Sequence, residues 1–373
     1  MSESAIDQQL MARAIQLAER GLYTTEPNPR VGCVLARDGE VVGEGWHVRA
    51  GEGHAEVNAL AQAGARARGA TAYVTLEPCS HFGKTPPCAD ALVKAGVSRV
   101  VAAMQDPNPQ VAGRGLQRLR DAGIEVSCGV LEAQARQLNP GFIKRMQQGL
   151  PWVRLKLAMS LDGRTAMASG ESQWITGPQA RADVQRLRAR SGAVISGADS
   201  VLLDDSALTV RATELGLDAD LAQVAAAQQP LRVLIDGRLR VPLERRLFRE
   251  AGPVLVVCND TGQQEGAYAQ QGAELVAMPG GEGQVDLAQL LRELGQRGCN
   301  EVLVESGAAL AGAFWRSALV DELIVYMAPR LLGSRARPLL ELPFDSMAEA
   351  MDLQITDMRA VGNDWRITVR RAG

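Results

Sequence analysis

The chain has 373 residues, 46% of them hydrophobic, and a formal net charge of −3. That length exceeds one ordinary core and supplies apolar material for two domains. A near-neutral balance without a long Lys/Arg run argues against nucleic acid or another large polyanion as partner. The polar N-terminus lacks an apolar signal-like run and no stretch approaches bilayer-spanning length, so no membrane association is expected. The widely spaced Cys33, Cys128, Cys258 and Cys299 read as reduced thiols rather than a disulfide framework, which fits a cytoplasmic protein.

Ile6 to Gly21 has the apolar spacing of an amphipathic helix, and Val31 to Ala36 with Glu40 to Trp46 read as a hairpin around Asp38-Gly39. His54 opens an Ala-rich helix. A strand over Thr71 to Leu76, a helix from Cys88 to a Gly96 stop, a strand over Arg99 to Met104, a helix over Gly113 to Ala122 and a strand over Ile124 to Ser127 follow. This alternation predicts a three-layer α/β/α sandwich. A helix over Glu132 to Gln148 ends at Gly149-Leu150-Pro151, and the boundary between domains 1–149 and 150–373 is placed there. The second segment gives strands at Val153 to Met159, Ala193 to Ser196, Leu231 to Asp236, Val254 to Cys258, Glu274 to Met278, Glu301 to Glu305 and Glu322 to Met327. With helices at Gly177 to Ser191 and Leu287 to Gly295, they predict a second, mostly parallel α/β sheet. Leu215 to Gln229 reads as a surface insertion, and no dinucleotide fingerprint or Walker loop occurs.

His54-Ala55-Glu56, Pro78-Cys79 and Cys88 carry the chemistry. One His and two thiolates offer zinc three protein ligands and leave a fourth position open, as a hydrolytic site requires. Glu56, two residues from His54, is then a general acid/base rather than a ligand, the arrangement of nucleobase deaminases. Taken singly, each Cys is a buried small residue and the His a structural one. The polar, Pro-rich run between Cys79 and Cys88 is too wet for a core and fits a metal-clipped loop, and Cys88 at a helix start is favoured as thiolate. All three His residues, His47, His54 and His81, fall in this first segment.

Eight residues separate Cys79 from Cys88. With Pro27-Asn28-Pro29-Arg30-Val31-Gly32, Asp106-Pro107-Asn108-Pro109, the run from Leu155 to Arg164, Asp204-Asp205 and Leu208-Thr209-Val210-Arg211, this spacing makes the chain resemble the bifunctional riboflavin-biosynthesis deaminase/reductases over nearly its whole length. The resemblance implies a cytidine-deaminase-like sandwich followed by a dihydrofolate-reductase-like α/β domain. It implies one Zn2+ per chain held by His54, Cys79 and Cys88, with Glu56 as proton shuttle and Asn28, His47, His81 and Lys84 as contacts to a small phosphoribosylaminopyrimidine. In the second domain it implies NADPH. Lys156, Ser172, Arg188, Leu208, Arg211 and Glu305 match substrate positions, Arg188 and Arg211 as the phosphate grip. Ala158, Trp174, Ser200, Asp204 and the run Gly307, Ala308, Ala309, Leu310, Ala311, Gly312 and Ala313 match cofactor positions. Gly237 stands where relatives carry a side chain able to reach the cofactor.

Plainer readings accompany these. Lys156 snorkels from a strand, Asp162-Gly163 makes a turn, Trp174 anchors a core, and the arginines at 181, 186, 188 and 190 form a wet helix face. Two other functions are weighed: a zinc-stabilised binding module fused to a nucleotide-sensing domain, which substrate-dependent ammonia release excludes, and a nucleoside or transfer-RNA deaminase with an unrelated tail, which salt-sensitive RNA binding would support. A homo-oligomer is expected.

Overall fold

The computed structural model describes residues 3–80, 86–109 and 111–372, and the chain divides into two compact units, Met1–Gly149 and Leu150–Gly373. The first runs α1 (Glu3–Glu19), β1 (Gly32–Arg37), β2 (Glu40–Trp46), α2 (Ala55–Ala63), β3 (Thr71–Val74), α3 (Cys88–Ala95), β4 (Arg99–Ala102), α4 (Arg114–Asp121), β5 (Glu125–Cys128), α5 (Glu132–Leu138) and α6 (Pro140–Gln148). Its sheet has the order β2-β1-β3-β4-β5, antiparallel around β1 and parallel from β3 to β5. Successive side chains of a strand point to opposite faces. Cys33, Leu35, Ala72 and Val100 therefore pack with Ala59, Leu92 and Leu119 of α2, α3 and α4, while Val34, Ala36, Tyr73 and Val101 pack with Met11, Ala14 and Phe142 of α1 and α6. The expected three-layer sandwich is present.

Glycine sets the height of α2 over the sheet: a Cβ at Gly45 would lie 2.4 Å from the Ala55 carbonyl oxygen. The start of α2, and with it His54, is thereby held against β2. On the opposite face, Asp7 of α1 accepts 2.9 Å hydrogen bonds from both terminal nitrogens of Arg99 and from the Tyr73 hydroxyl. The Arg99 hydrogen bonds hold the Asp7 carboxyl below its ordinary value against the opposing effect of burial. A carboxylate with a lowered folded-state pKa stabilises fully above its unfolded value of about 3.9, and that contribution is lost as pH falls through the lowered value. Asp7→Asn should therefore cost about 1.5–3 kcal/mol between pH 5 and 7. The gap between the two proteins in thermal unfolding should narrow as pH falls below about 4 and close only below the lowered folded-state value; a pH-independent gap would contradict this account.

The helix expected over Glu132 to Gln148 is two helices, α5 and α6. Pro140 lacks an N–H and cannot continue a helix through its own position. Asn139 at the break instead joins Arg30 by a pair of 2.8 Å hydrogen bonds between its amide and the Arg30 backbone.

The second unit carries β6 (Trp152–Ser160), β7 (Arg164–Ala166), α7 (Pro178–Ala189), β8 (Ala193–Gly197), α8 (Ala198–Asp204), α9 (Ala219–Ala227), β9 (Leu231–Ile235), α10 (Arg246–Arg249), β10 (Val254–Cys258), α11 (Glu265–Gln270), β11 (Ala273–Ala277), α12 (Leu287–Gln296), β12 (Glu301–Glu305), α13 (Ala308–Arg316), β13 (Glu322–Ala328), β14 (Arg337–Pro338), β15 (Leu353–Val361) and β16 (Asp364–Arg371). The main sheet has the order β11-β10-β9-β8-β12-β6-β13-β16-β15 and is parallel up to β13, with β16 antiparallel to β13 and β15 antiparallel to β16. A buried apolar cluster lies on each face. Parallel strands point their C-terminal ends the same way, so the ends of β6, β8 and β12 form one edge, where open sheets of this kind bind ligands.

Two features add to what the sequence predicts. The C-terminal hairpin β15–β16 extends the strands beyond Met327, turning at Gly362 with φ +64°. The 215–229 stretch, read as a surface insertion, is mostly exposed or half-buried, yet it contains α9 and buries Leu215, Ala222 and Ala225.

Candidate active sites

His54 is the N-cap of α2 and Cys88 the first residue of α3, so two helix starts and the end of the β3 segment converge. His54 Nδ1 lies 3.7 Å from Cys79 Sγ and 3.3 Å from Cys88 Sγ, and the three side chains' ligand atoms all fall within 4.8 Å of one another. A tetrahedral zinc with ligand distances of about 2.0–2.3 Å sets neighbouring ligand atoms roughly 3.5–3.8 Å apart. The donor set and its spacing fit that ion. The Cys88 backbone N–H also donates to Cys79 Sγ at 3.3 Å. Hydrogen bonding from Cys88, opposed by burial and assisted by His54, lowers Cys79 to about 4, while the Cys88 thiol, hydrogen-bonded to Cys79 and buried, is pushed up. A divalent ion held here would take both sulfurs as thiolates.

Glu56, one residue into α2, is 3% exposed. Burial first, then the Cys79 charge, pushes its carboxyl up to about 7. It is an acid poised near neutrality beside the cluster. Asn28 and His47 lie at the same place. His47 donates from Nδ1 to the Gly53 carbonyl at 3.1 Å, which leaves Nε2 to accept from the Asn28 amide at 3.0 Å, and its ring stands edge-on to His54 with centroids 5.3 Å apart. Burial lowers the His47 pKa and keeps the ring neutral. His81 and Lys84 lie outside the described residues.

In the second unit, a cavity of about 840 Å³ opens where β6, β8 and β12 end. Lys156 and Glu305 are register partners on β6 and β12. Arg188 of α7 grips Glu305 through Nε at 2.5 Å and a terminal nitrogen at 3.0 Å, and donates to the Thr209 carbonyl at 3.1 Å. Burial lowers the Lys156 pKa; Glu305 partly offsets this. Glu305, although buried, is held below its ordinary value by the Arg188 charge. Ser172 donates to Asp204 at 2.8 Å, Ser200 accepts from the Gly307 N–H at 3.1 Å, and Ala158 and Leu208 line the same wall. Arg211 borders the cavity in an ion pair with Glu214.

Trp174 is 62% exposed, which removes the core-anchor alternative; Arg181 stacks over it with Cζ 4.6 Å from the ring centroid. The basic run on α7 is no wet face either. Arg186 pairs with Asp183, Arg188 with Glu305 and Arg190 with Glu301. Asp162 serves structure: its carboxylate accepts the Leu332 and Gly333 N–H groups at 3.1 and 2.8 Å.

Gly307 and Ala308 line the cavity at the start of α13, and Ser306 Oγ beside them is buried without a hydrogen-bond partner among the described residues. An anionic group fits there, at a helix start whose dipole favours negative charge. Along the helix the small residues have another use. Ala311 is in the core, and a Cβ at Gly312 would lie 2.3 Å from the Glu341 carbonyl oxygen. Ala309, Leu310 and Ala313 continue the same helix. At Gly237 an added Cβ would meet Asn259 Nδ2 at 2.9 Å, so Asn259 occupies the space of the missing side chain. Sequence reasoning missed Asn259, and also Arg246 and Arg337, which line the cavity. No motif marks them, because they come from parts distant in sequence: Arg246 opens α10, Asn259 follows β10 and Arg337 opens β14.

Residues 4–104 match the family described as the cytidine and deoxycytidylate deaminase zinc-binding region, and residues 151–367 match the RibD C-terminal domain. The riboflavin biosynthesis protein RibD of Escherichia coli K12 is 54% identical over 360 residues, covering 96% of this chain and 97% of that one. That of Haemophilus influenzae is 50% identical, covering 99% of each. Among solved structures, Acinetobacter baumannii RibD has a TM-score of 0.91 at 48% identity over 100% of both chains. A Thermotoga maritima diaminohydroxyphosphoribosylaminopyrimidine deaminase/5-amino-6-(5-phosphoribosylamino)uracil reductase has 0.86 at 32% over 99% of both. Matched through both of its units, the chain belongs to the RibD family, the bifunctional deaminase/reductases of riboflavin biosynthesis.

Proposed function

We propose that residues 1–149 remove the amino group of 2,5-diamino-6-(5-phosphoribosylamino)pyrimidin-4-one by hydrolysis and that residues 150–373 then reduce its ribose to a ribityl chain with NADPH. The observation that carries the first half is the His54, Cys79 and Cys88 triangle with Glu56 beside it. Zinc, when bound by these three side chains, supplies the Lewis acidity that lets water attack a ring carbon at neutral pH. Glu56 takes the proton from the attacking water on a carboxylate oxygen and returns it to the departing amino nitrogen, which leaves as ammonia. Asn28 and His47 orient the pyrimidine, together with His81 and Lys84.

In the second half NADPH, when bound, supplies hydride to the carbon exposed by opening of the glycosylamine. Trp174, Ser200, Asp204 and the Gly307–Ala308 helix start hold the cofactor, with Ala158 on the wall between it and substrate. Arg211 and Arg188 face the substrate phosphate, Arg188 also fixing Glu305. Ser172 and Leu208 position the ribose, and Lys156, with its lowered pKa, orients and protonates the reacting centre. Among the described residues no helix is long and apolar enough to cross a membrane; we place the enzyme in the cytoplasm, as a homo-oligomer.

Purified enzyme given the pyrimidine should release ammonia first and consume NADPH second. Lys156→Ala should lower NADPH oxidation about 10²-fold or more when the deaminated pyrimidine is supplied directly. Oxidation at the parent rate would remove Lys156 from that role, and NADPH consumption before ammonia appears would reverse the proposed order.

A further inference from the structure

We propose that Glu77 is a positioning residue for the deaminase: its carboxylate fixes the place of Cys79 by tying the Glu77-Pro78-Cys79 backbone to the start of α4. This rests on the metal-site reading above. Glu77 is 3% exposed and, among the described residues, pairs with no cation. Instead Oε1 accepts the N–H groups of Gly115 at 2.8 Å and Leu116 at 3.3 Å, and Oε2 those of Asp106 at 3.0 Å and Gly113 at 2.9 Å. Its own N–H donates to the Met104 carbonyl at 3.0 Å. A charged acceptor meeting several amides at a helix start is a strong and directional anchor.

The anchor is tight and close to the ligands. A Cβ at Gly115 would lie 1.9 Å from the Pro78 carbonyl oxygen, so only glycine lets α4 approach the segment this closely. One residue on, the Cys79 carbonyl accepts the Ala89 N–H at 3.1 Å while its sulfur accepts the Cys88 N–H at 3.3 Å. A shift of residue 79 therefore passes to both sulfurs. Gln at position 77 offers one acceptor oxygen and turns an NH₂ group toward N–H donors, so the side chain must move. Asp keeps the charge but falls one methylene short.

The test uses the full-length parent, Glu77→Gln and Glu77→Asp proteins, stripped of metal and reloaded with Zn2+ or Co2+. Metal affinity is measured by chelator competition, thiolate geometry by the cobalt absorption bands, and deaminase kcat and KM by ammonia release. Reductase activity of the same chains on the deaminated pyrimidine reports folding. Glu77→Gln should bind zinc about 10–100-fold more weakly. Its cobalt bands should shift and its kcat fall, with KM and reductase activity near the parent's; Glu77→Asp should recover part of each loss. Parent-like affinity and bands in Glu77→Gln, a change confined to KM, or loss of both activities together in both variants overturns the proposal. A parent chain that takes up neither ion overturns the metal-site reading itself, and this inference with it.

Discussion

Replacing Glu56 by Gln should lower ammonia release by about 10²–10⁴-fold while bound zinc stays at the parent level. Gln has nearly the same shape, so packing at the start of α2 survives, but an amide neither takes nor returns the proton. Zinc is retained because Glu56 is not one of the three ligands. The comparison is made with saturating metal, and with the deaminated pyrimidine supplied separately to show that NADPH oxidation is unaffected. Ammonia release at the parent rate would exclude Glu56 as the proton carrier. Loss of zinc along with activity would make it a ligand instead.

The second large effect lies beneath the reductase site. Arg154, 4% exposed on β6, donates to Glu301 of β12 and, at 2.9 Å, to Glu322 of β13, while Arg190 reaches Glu301 at 3.0 Å. One guanidinium thus joins three adjacent strands, two residues before Lys156 on β6. Arg154→Met leaves two carboxylates in the sheet without their main counter-charge. Removing one partner of a buried ion network costs about 3–5 kcal/mol. Urea unfolding followed by fluorescence of Trp152 and Trp315 should show a lower midpoint, and reductase activity should fall with it. The triple change Arg154→Met, Glu301→Leu and Glu322→Leu should restore much of the loss, since apolar residues can replace such a network without leaving charges stranded. A single variant as stable as the parent would show that the network contributes nothing net.

Much of this was legible because the deciding patterns are local. The His54 and Glu56 spacing, the Pro-rich run to Cys88 and the Gly96 stop each reflect a short-range requirement, and the structure places His54, Cys79 and Cys88 in one triangle. Alternating strands and helices likewise announced a sandwich and a parallel sheet. What escaped depends on distant contacts. The second sheet was read as ending at Met327, although Gly362-Asn363 between Leu353, Ile355 and Trp365, Ile367, Val369 carries a hairpin signal. Arg246 of α10 and Arg337 of β14 line the reductase cavity with no motif to mark them, and the arginines at 188 and 190 looked like a solvated face because their carboxylate partners, Glu305 and Glu301, lie on β12. Glu77 precedes the Pro-Cys pair in plain view, yet its four amide donors come from residues 29 to 39 positions later.

The central claim is that His54, Cys79 and Cys88 hold a single catalytic ion. Elemental analysis of the purified parent and of Cys88→Ser tests it most directly. The account predicts one zinc per parent chain and a substoichiometric amount in the variant, and a parent without stoichiometric metal, or a variant that keeps the full complement, would contradict it.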